Sequence, residues 1–277
     1  MSETLRLADL DAYLAQPSEA EREFRRLFDP HRPLVIFDIG ACEGEDSVRY
    51  ARICPHARIY AFEPLPANQA LVRANLARFS ATQVELVPIA LSDRAGEAVF
   101  HVSSGRPDTL FAGEQWNYGN KSSSLLAPAN EKPMHGWIEF KESISVRTGT
   151  LDEFCEMRAI TSVDFIQMDV QGAERLVLGG ASRMLPKISA IWLEVSTYEL
   201  YRGQALKDDI ARFMRSHGFA LAHATYRDPS TGEGDHLYLN LRRARNWVYL
   251  AAHSFKRAGT RARSAAARLL RATSNRT

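Results

Sequence analysis

Short hydrophobic runs recur along the chain from residue 34 onward, and each ends in polar residues. Runs of about four to eight such residues, bounded by turn formers, predict β-strands. The predicted strands span residues 34–38, 58–63, 84–90, 163–169, 190–195, 220–224 and 236–241. Helical spacing appears near residues 45–53 and 66–79, between the first three strands. This alternation predicts a parallel sheet that is covered by helices on both faces.

The last two predicted strands are joined by the short segment TYRDPSTGEGD, which is rich in turn formers. A connection of this length favours an antiparallel hairpin over a helical crossover. The predicted fold class is therefore α/β, a doubly wound, Rossmann-like sheet of seven strands that is mostly parallel and has an antiparallel last strand.

Three segments differ in pattern. Residues 1–32 carry hydrophobic residues among charges, broken near Pro17, and predict an N-terminal helical extension of one or two amphipathic helices. Residues 33–241 form the predicted main domain, and residues 242–277 form a basic amphipathic tail. The stretch from 103 to 140 has no clear periodicity, and loops of such length are usually functional.

Charge is distributed unevenly along the chain. All 33 acidic residues precede Arg242, and residues 242–277 hold 10 of the 35 Lys and Arg, which leaves 25 basic residues against 33 acidic ones in the rest. An acidic body does not suit a phosphate backbone, so we expect no nucleic-acid groove in the main domain. The tail fits three interpretations: contact with an anionic membrane surface, a solvated end, or a helix docked on the acidic body.

Composition places the protein in an ordinary class. Its 277 residues are 45% hydrophobic and 25% charged, which is enough for one large core. The acidic first 30 residues lack an apolar segment, and no apolar run approaches the roughly 18 residues of a membrane span. We therefore expect a cytoplasmic protein, with peripheral contact at the inner membrane face through the tail as one interpretation. Cys42, Cys54 and Cys155 show neither disulfide nor zinc spacing.

Two motifs carry the strongest chemical signal. The segment VIFDIGACEGEDS closes a strand on Asp38 and continues into a turn that contains Gly40 and Gly44. Backbone can approach a ligand closely at such a turn, yet the spacing is neither the GxGxxG of dinucleotide folds nor a P-loop. The next strand ends in AFEP, where Glu63 can accept both hydroxyls of a ribose. Together the motifs indicate a nucleoside ligand without a diphosphate.

The order of several segments resembles the FkbM family of S-adenosylmethionine-dependent methyltransferases from residue 34 to about 241. The segments are DIGACEGEDS, YAFEPLPAN, VPIALSDRAGEAVF, SSSLL, TLDEF and FIQMDVQGAERLVLGG. The resemblance implies a methyltransferase sheet and S-adenosylmethionine as cofactor. The implied cofactor-binding residues are Asp38, Gly40, Ala41, Glu43, Gly44, Glu63, Pro64, Ala90, Leu91, Ser92 and Asp169. Cys42 departs from the family pattern, in which Asn is frequent.

Three residues are candidates for catalysis of methyl transfer to a hydroxyl. Asp169, in MDVQ, ends the fourth strand and is expected to face the sulfonium, where it could orient or deprotonate a hydroxyl, or bind the amino group of the cofactor's methionine. Glu194 ends the neighbouring strand, and His236 opens the last one with an imidazole that titrates near neutral pH. Two facing carboxylates could also hold a divalent ion, although no third ligand is identifiable, and we predict no metal. Helix capping is the alternative role of Asp169.

The resemblance implies that the acceptor is a hydroxyl of a glycan or a natural product, and a lipid-linked sugar would explain the basic tail. The absence of a [DN]PP[YF] motif disfavours a nucleobase amine. Candidate substrate-binding residues are Trp116, Tyr118, Ser123, Ser124 and Trp137, of which the aromatic ones would otherwise only bury their loop. Two further hypotheses stand: a non-catalytic adenosyl-binding scaffold, and a nucleic-acid methyltransferase anchored by the basic tail.

Overall fold

The computed structural model describes residues 10–105, 118–129, 136–225 and 232–251. Its helices are α1 Leu10–Ala15, α2 Glu19–Leu27, α3 Glu45–Ile53, α4 Pro66–Arg78, α5 Leu151–Met157, α6 Glu174–Gly179 and α7 Lys207–Ser216. Its strands are β1 Val35–Ile39, β2 Arg58–Phe62, β3 Val84–Val87, β4 Ala90–Leu91, β5 Gly96–Ser104, β6 Glu139–Gly149, β7 Val163–Met168, β8 Ile188–Ser196, β9 Phe219–Ala224 and β10 Glu233–Asn240.

Seven strands form the main sheet in the order β3-β2-β1-β7-β8-β10-β9. Neighbours from β3 to β8 are parallel, while β10 is antiparallel to both β8 and β9. The predicted fold class, including the antiparallel last strand, is confirmed. Because the chain order reverses between β1 and β7, the carboxyl ends of these two strands border the crevice in which open α/β sheets bind ligands.

The third predicted strand, residues 84–90, is wrong at its end. β3 stops at Val87, and Ala90–Leu91 instead belongs to a second sheet of three strands in the order β4-β6-β5. In this sheet β5 and β6 are antiparallel, and β6 begins at the end of the stretch from 103 to 140 that showed no clear periodicity. The small sheet stands at the edge of the crevice, next to the ends of β1 and β2.

Two hydrophobic clusters cover the two faces of the main sheet. On one face, residues of α5, α6 and α7 pack against β1, β7 and β8. On the other face, α1, α2 and α3 contribute Leu10, Phe24 and Val48 to a cluster that includes Phe165 of β7. The predicted N-terminal helices therefore exist, with a break between Ala15 and Glu19, and they bury residues of the same core as the sheet.

The start of the basic segment also packs on this face. Residues 244–251 are helical, and Asn246 donates hydrogen bonds from Nδ2 to the carbonyls of Ser189 (2.9 Å) and Asn240 (2.8 Å). The hydroxyl of the buried Tyr249 donates to the carboxylate of Glu23 in α2. The two ends of the described chain therefore contact one another on one side of the sheet.

Candidate active site

The turn after β1 brings backbone against the end of β7. Gly40 has a φ of 86°, and a Cβ built on it would lie 1.8 Å from the carbonyl oxygen of Asp169. No other residue type fits that contact, because L side chains rarely adopt this backbone region and have no space here. The glycine therefore lets two strand ends and their polar residues meet within one crevice.

A buried carboxyl group supports this turn from below. Asp38 is 3% exposed and accepts a hydrogen bond of 2.5 Å from the hydroxyl of Ser47 in α3. Burial first, and the nearby Asp46 second, raise the pKa of Asp38 well above its usual value. The hydrogen bond ties the end of β1 to the helix that follows the turn.

Glu63, directly after β2, is held by two backbone groups. Its carboxylate oxygens accept hydrogen bonds of 2.8 Å each from the N–H groups of Cys42 and Leu65. Burial raises the pKa of Glu63 to about 7, although these hydrogen bonds act in the opposite direction. Each carboxylate oxygen retains a second lone pair, so the group can still accept a hydroxyl of a ligand.

A first cleft opens at the carboxyl ends of β1, β2 and β7 and contains about 520 Å³ of empty space, open solvent included. Its apolar side chains come from both sheets: Ile39, Phe62, Ile89, Leu91, Phe100 and Leu125. Its polar lining includes Glu63, Asn68, Asn120 and Asp169. This combination of apolar side chains and a few polar groups is typical of a small-molecule or cofactor site.

A second cleft, of about 860 Å³, lies beside the first and is mostly polar. Its side chains come from distant parts of the sequence: Tyr13, Asp38, Glu45, Asp46, Lys121, Gln167 and Asp235. Gly40, Cys42, Lys121 and Asp169 line both clefts. Asp169 therefore stands at the border of an apolar and a polar compartment.

Asp169 and Glu194, predicted from separate strand ends, are brought together by a third side chain. Gln171 donates hydrogen bonds from Nε2 to Oδ1 of Asp169 (2.7 Å) and to Oε2 of Glu194 (3.0 Å). Asp235 is the register partner of Glu194 on β10, so a further carboxylate belongs to the same sheet edge. The result is an acidic group of residues bridged by one amide.

Cys42 occupies the left-handed turn between the two clefts, with a φ of 50°. Its thiol lies 3.8 Å from the ammonium group of Lys121, which also pairs with the carboxylate of Glu45. Burial raises the pKa of the Cys42 thiol well above its usual value, so this group is not a thiolate at neutral pH. Lys121 is the cation that faces the acidic lining of both clefts.

The predicted cofactor-binding residues divide into two groups. Those that line one or both clefts are Asp38, Gly40, Ala41, Glu63, Pro64, Ala90, Leu91 and Asp169. Glu43, Gly44 and Ser92 line neither: Glu43 is buried and bonded to Asn75 and Asn120, and Gly44 caps α3. Those three support the walls of the site.

His236 is placed away from both clefts. It is 2% exposed, and its Nδ1 lies 3.2 Å from the hydroxyl of Tyr238. Burial, with a smaller contribution from Lys207, lowers the pKa of His236 to about 4. Its role as a base stays a prediction. Of the three predicted catalytic residues, the structure brings Asp169 and Glu194 together.

The predicted acceptor-binding segment is described in part. Trp116 and the side chain of Tyr118 lie outside the described residues. Ser123 lines the first cleft, and the buried Ser124 donates from its hydroxyl to the carbonyl of Gln171 at 2.7 Å. Trp137 has its carbonyl oxygen against Gly105 and lines neither cleft.

Sequence patterns missed several residues of the site. Gln171 stands two positions after Asp169 in the same motif, and Lys121 directly precedes the SSS segment, so their neighbours in sequence were the available signal. Tyr13 and Asp235 had no such signal, because each reaches the second cleft only through folding of the chain ends.

Within the described ranges, no cluster of three or more His, Cys, Asp or Glu side chains is arranged to hold a metal ion. No described helix has the length and apolar content needed to cross a bilayer.

Comparison with known proteins gives three findings. The chain is 38% identical over 170 residues to the 2-O-methyltransferase NoeI of Sinorhizobium fredii, a match that covers 61% of this chain and 66% of NoeI, just under two thirds. It is 26% identical over 196 residues to the 31-O-demethyl-FK506 methyltransferase FkbM of Streptomyces tacrolimicus, covering 68% of this chain and 73% of that protein. A solved magnesium protoporphyrin IX methyltransferase from Synechocystis, with bound S-adenosylmethionine, gives a TM-score of 0.44 at 11% identity over 83% of this chain and 77% of that one.

A family model described as the methyltransferase FkbM domain matches residues 38–221. This range begins at the buried aspartate under the glycine turn and includes Glu63, Asp169 and Gln171. It covers more than half of the chain and agrees with the resemblance noted in the sequence. The chain belongs to the FkbM methyltransferase family.

Proposed function

We propose that the protein is an S-adenosylmethionine-dependent O-methyltransferase that acts on a hydroxyl of a glycan, a lipid-linked sugar or a natural product. The observation that carries the proposal is the position of Asp169, which lines both the apolar cleft and the polar cleft. Such a carboxylate can contact a donor bound on one side and an acceptor bound on the other. The names of NoeI and FkbM, which specify methyl transfer to oxygen, support the choice of a hydroxyl.

The first cleft fits the adenosyl part of this cofactor. Glu63 offers a carboxylate that can accept from the ribose hydroxyls, and the apolar side chains suit a purine ring. Asn120 adds a second observation: its Nδ2 donates to Glu43 and Asn68, while its buried Oδ1 has no hydrogen-bond partner among the described residues. A buried acceptor atom without a partner is costly, and a donor group of the nucleoside would satisfy it.

The residues of this chain then have distinct tasks in the reaction. When bound, S-adenosylmethionine supplies a methyl group whose bond to sulfur breaks as a bond to the acceptor oxygen forms, with the electron pair left on sulfur. Asp169 accepts the hydrogen bond of the acceptor hydroxyl and takes its proton. The backbone at Gly40 permits close approach, and the walls of the first cleft exclude water. No metal is needed for these tasks.

The polar lining of the second cleft supports an acceptor with several hydroxyl groups. Its carboxylates at Asp46 and Asp235 are hydrogen-bond acceptors, and Tyr13 contributes an aromatic ring as well as a hydroxyl. Carboxylates and aromatic rings are the groups that bind the hydroxyls and the apolar faces of sugars. The tail, residues 242–277, would bring the enzyme to an anionic surface if the acceptor is lipid-linked.

The test combines binding and turnover. Isothermal titration with S-adenosylhomocysteine, with and without Mg²⁺, should show micromolar binding to the wild type and a loss of binding in Glu63→Ala. Transfer of a radiolabelled methyl group would then be assayed on hydroxylated glycans, lipid-linked sugars and natural products, with amines and RNA as comparison acceptors. A folded protein that does not bind would refute the enzyme proposal. Binding without transfer to any acceptor would favour the scaffold hypothesis, and salt-dependent transfer to RNA would favour the nucleic-acid hypothesis.

A further inference from the structure

Gln171, in the loop between β7 and α6, has a backbone conformation that is unusual for its residue type. Its φ is 52°, in the left-handed region, and the next residue, Gly172, also has a positive φ of 90°. Left-handed backbone is unfavourable for a residue with a Cβ and persists where the surroundings hold it in place. A glycine at position 171 would adopt this backbone without strain, so the glutamine side chain is the feature to explain.

The orientation of the Gln171 amide follows from its hydrogen-bond partners. Its Nε2 lies 2.7 Å from Oδ1 of Asp169 and 3.0 Å from Oε2 of Glu194. Ionised carboxylates only accept hydrogen bonds, so the two N–H groups of the amide must face them, one for each acid. A single neutral group therefore satisfies two carboxylates that come from neighbouring strands.

The rest of the Gln171 residue is fixed from the opposite side. Its Oε1 lies 2.9 Å from the hydroxyl of Tyr201, which also lies 2.7 Å from the carbonyl of Ser122. Its own carbonyl accepts a hydrogen bond of 2.7 Å from the hydroxyl of Ser124. These contacts attach the loop after β7 to the segment that contains Ser122 and Ser124, so both the backbone and the amide of Gln171 have one defined position.

We propose that Gln171 is a positioning residue that holds Asp169 for contact with the acceptor hydroxyl and pairs it with Glu194. The inference rests on the proposed function and deepens it. The amide uses one lone pair of Oδ1 of Asp169, so Oδ2 is the less engaged oxygen and is the one assigned to the acceptor. The hydrogen bonds also fix the orientation of both carboxyl groups, and a fixed Asp169 carboxylate is placed to take the proton of the acceptor hydroxyl.

Other ionisable groups act on the same pair. Those near Asp169 or Glu194, or on the walls of the two clefts, are Tyr13, Asp38, Cys42, Glu45, Asp46, Glu63, Lys121, Glu174, Tyr201, Glu233 and Asp235. Most are acidic, and the amide of Gln171 donates to the pair without adding charge. A substitution that changes only this amide therefore isolates its contribution.

The experiment compares three variants in the full chain. Gln171→Met keeps length without the amide, Gln171→Gly removes the side chain and suits the left-handed backbone, and Gln171→Glu adds a carboxylate beside the other two. We expect Met and Gly to lower kcat about tenfold to a hundredfold, with KM for the acceptor and affinity for S-adenosylhomocysteine changed less than about threefold. Gln171→Glu should move the acidic limb of the pH–rate profile to higher pH, because a third carboxylate retains a proton. Tyr201→Phe, which only loosens the amide, should have a smaller effect of the same kind.

A measurement that does not depend on methyl transfer separates this inference from the proposed function. Carbon NMR of the Asp169 carboxyl group, assigned with Asp169→Asn, should show a changed chemical shift at fixed pH in Gln171→Met and Gln171→Gly, because the hydrogen bond from the amide to Oδ1 is lost. Unchanged kcat and an unchanged chemical shift in folded Met and Gly variants would overturn the positioning role. Loss of cofactor affinity equal to the loss of kcat would also overturn it, since Gln171 would then be a cofactor-binding residue. If the wild type transfers no methyl group, the proposed function fails, whereas the chemical shift still decides the role of Gln171.

Discussion

The buried carboxyl group of Glu63 makes the affinity for the cofactor dependent on pH. With its pKa raised to about 7 by burial, Glu63 is largely protonated at pH 6 and largely ionised at pH 8. The ionised form accepts hydrogen bonds from the ribose hydroxyls as well as from the N–H groups of Cys42 and Leu65, whereas a protonated oxygen loses acceptor capacity. Binding should therefore select the ionised form, and affinity should fall as the pH falls.

The magnitude follows from this pKa. If only the ionised form binds, the apparent Kd rises about tenfold from pH 8 to pH 6, equivalent to about 1.4 kcal/mol. Isothermal titration with S-adenosylhomocysteine measures it, and a repeat with adenosine, which has no group that titrates in this range, removes the contribution of the amino acid part of the ligand. In Glu63→Gln, affinity should be lower at pH 8 and independent of pH between 6 and 8.

A matched control is available in Glu174. Its pKa is also raised to about 7 by burial, and it accepts hydrogen bonds from the N–H groups of Val170 and Gly172, but it does not line either cleft. In Glu174→Gln, the apparent Kd should still rise about tenfold from pH 8 to pH 6. If Glu63→Gln keeps the pH dependence, or if Glu174→Gln abolishes it, then Glu63 is not the ribose-binding acid and the assignment of the first cleft is wrong.

Three further predictions follow from the same geometry. Asp169→Asn should lower kcat at least about a hundredfold while the melting temperature stays within a few degrees, as measured by methyl transfer and thermal unfolding; full activity would exclude the base role. Gly40→Ala should lower cofactor affinity and stability together. The left-handed backbone alone costs about 1–2 kcal/mol, and the new Cβ would lie 1.8 Å from the Asp169 carbonyl oxygen. Calorimetric binding equal to that of the wild type would contradict this. Phe24→Ala should destabilise the whole protein by about 3–5 kcal/mol in denaturant unfolding, since this N-terminal ring is 0% exposed against the sheet. A change in the free energy of unfolding below about 1 kcal/mol would show that the N-terminal helices unfold independently.

Sequence alone located the parts of the site whose chemistry is local. The glycine turn, Glu63 and Asp169 each follow a hydrophobic strand within a few residues, and parallel strands of a doubly wound sheet place such ends at one edge. The pairing of Asp169 with Glu194 could be expected for the same reason. The amide between them could not, because its role depends on the left-handed backbone at Gln171 and on contacts from Tyr201 and Ser124.

The second sheet shows another limit of prediction from the sequence. β6 carries an alternating pattern in which Ile144 and Val146 face the small cluster that also contains Phe100. The alternation was present in the sequence, but β5 and β6 pair with one another as antiparallel strands and lie outside the parallel sheet, so the alternation of strands and helices did not predict them. Their position matters, because Ala90, Leu91 and Phe100 of this small sheet form one wall of the first cleft.

The two clefts also differ in how far family membership can explain them. The family match covers residues 38–221, and every residue that lines the first cleft falls within that range. Tyr13 and Asp235, which line the second cleft, fall outside it. They come from helix α1 and strand β10, near the two chain ends that meet where Tyr249 contacts Glu23. Under the proposed function the second cleft takes the acceptor, and we expect substitutions at Tyr13 and Asp235 to change acceptor preference without changing cofactor affinity.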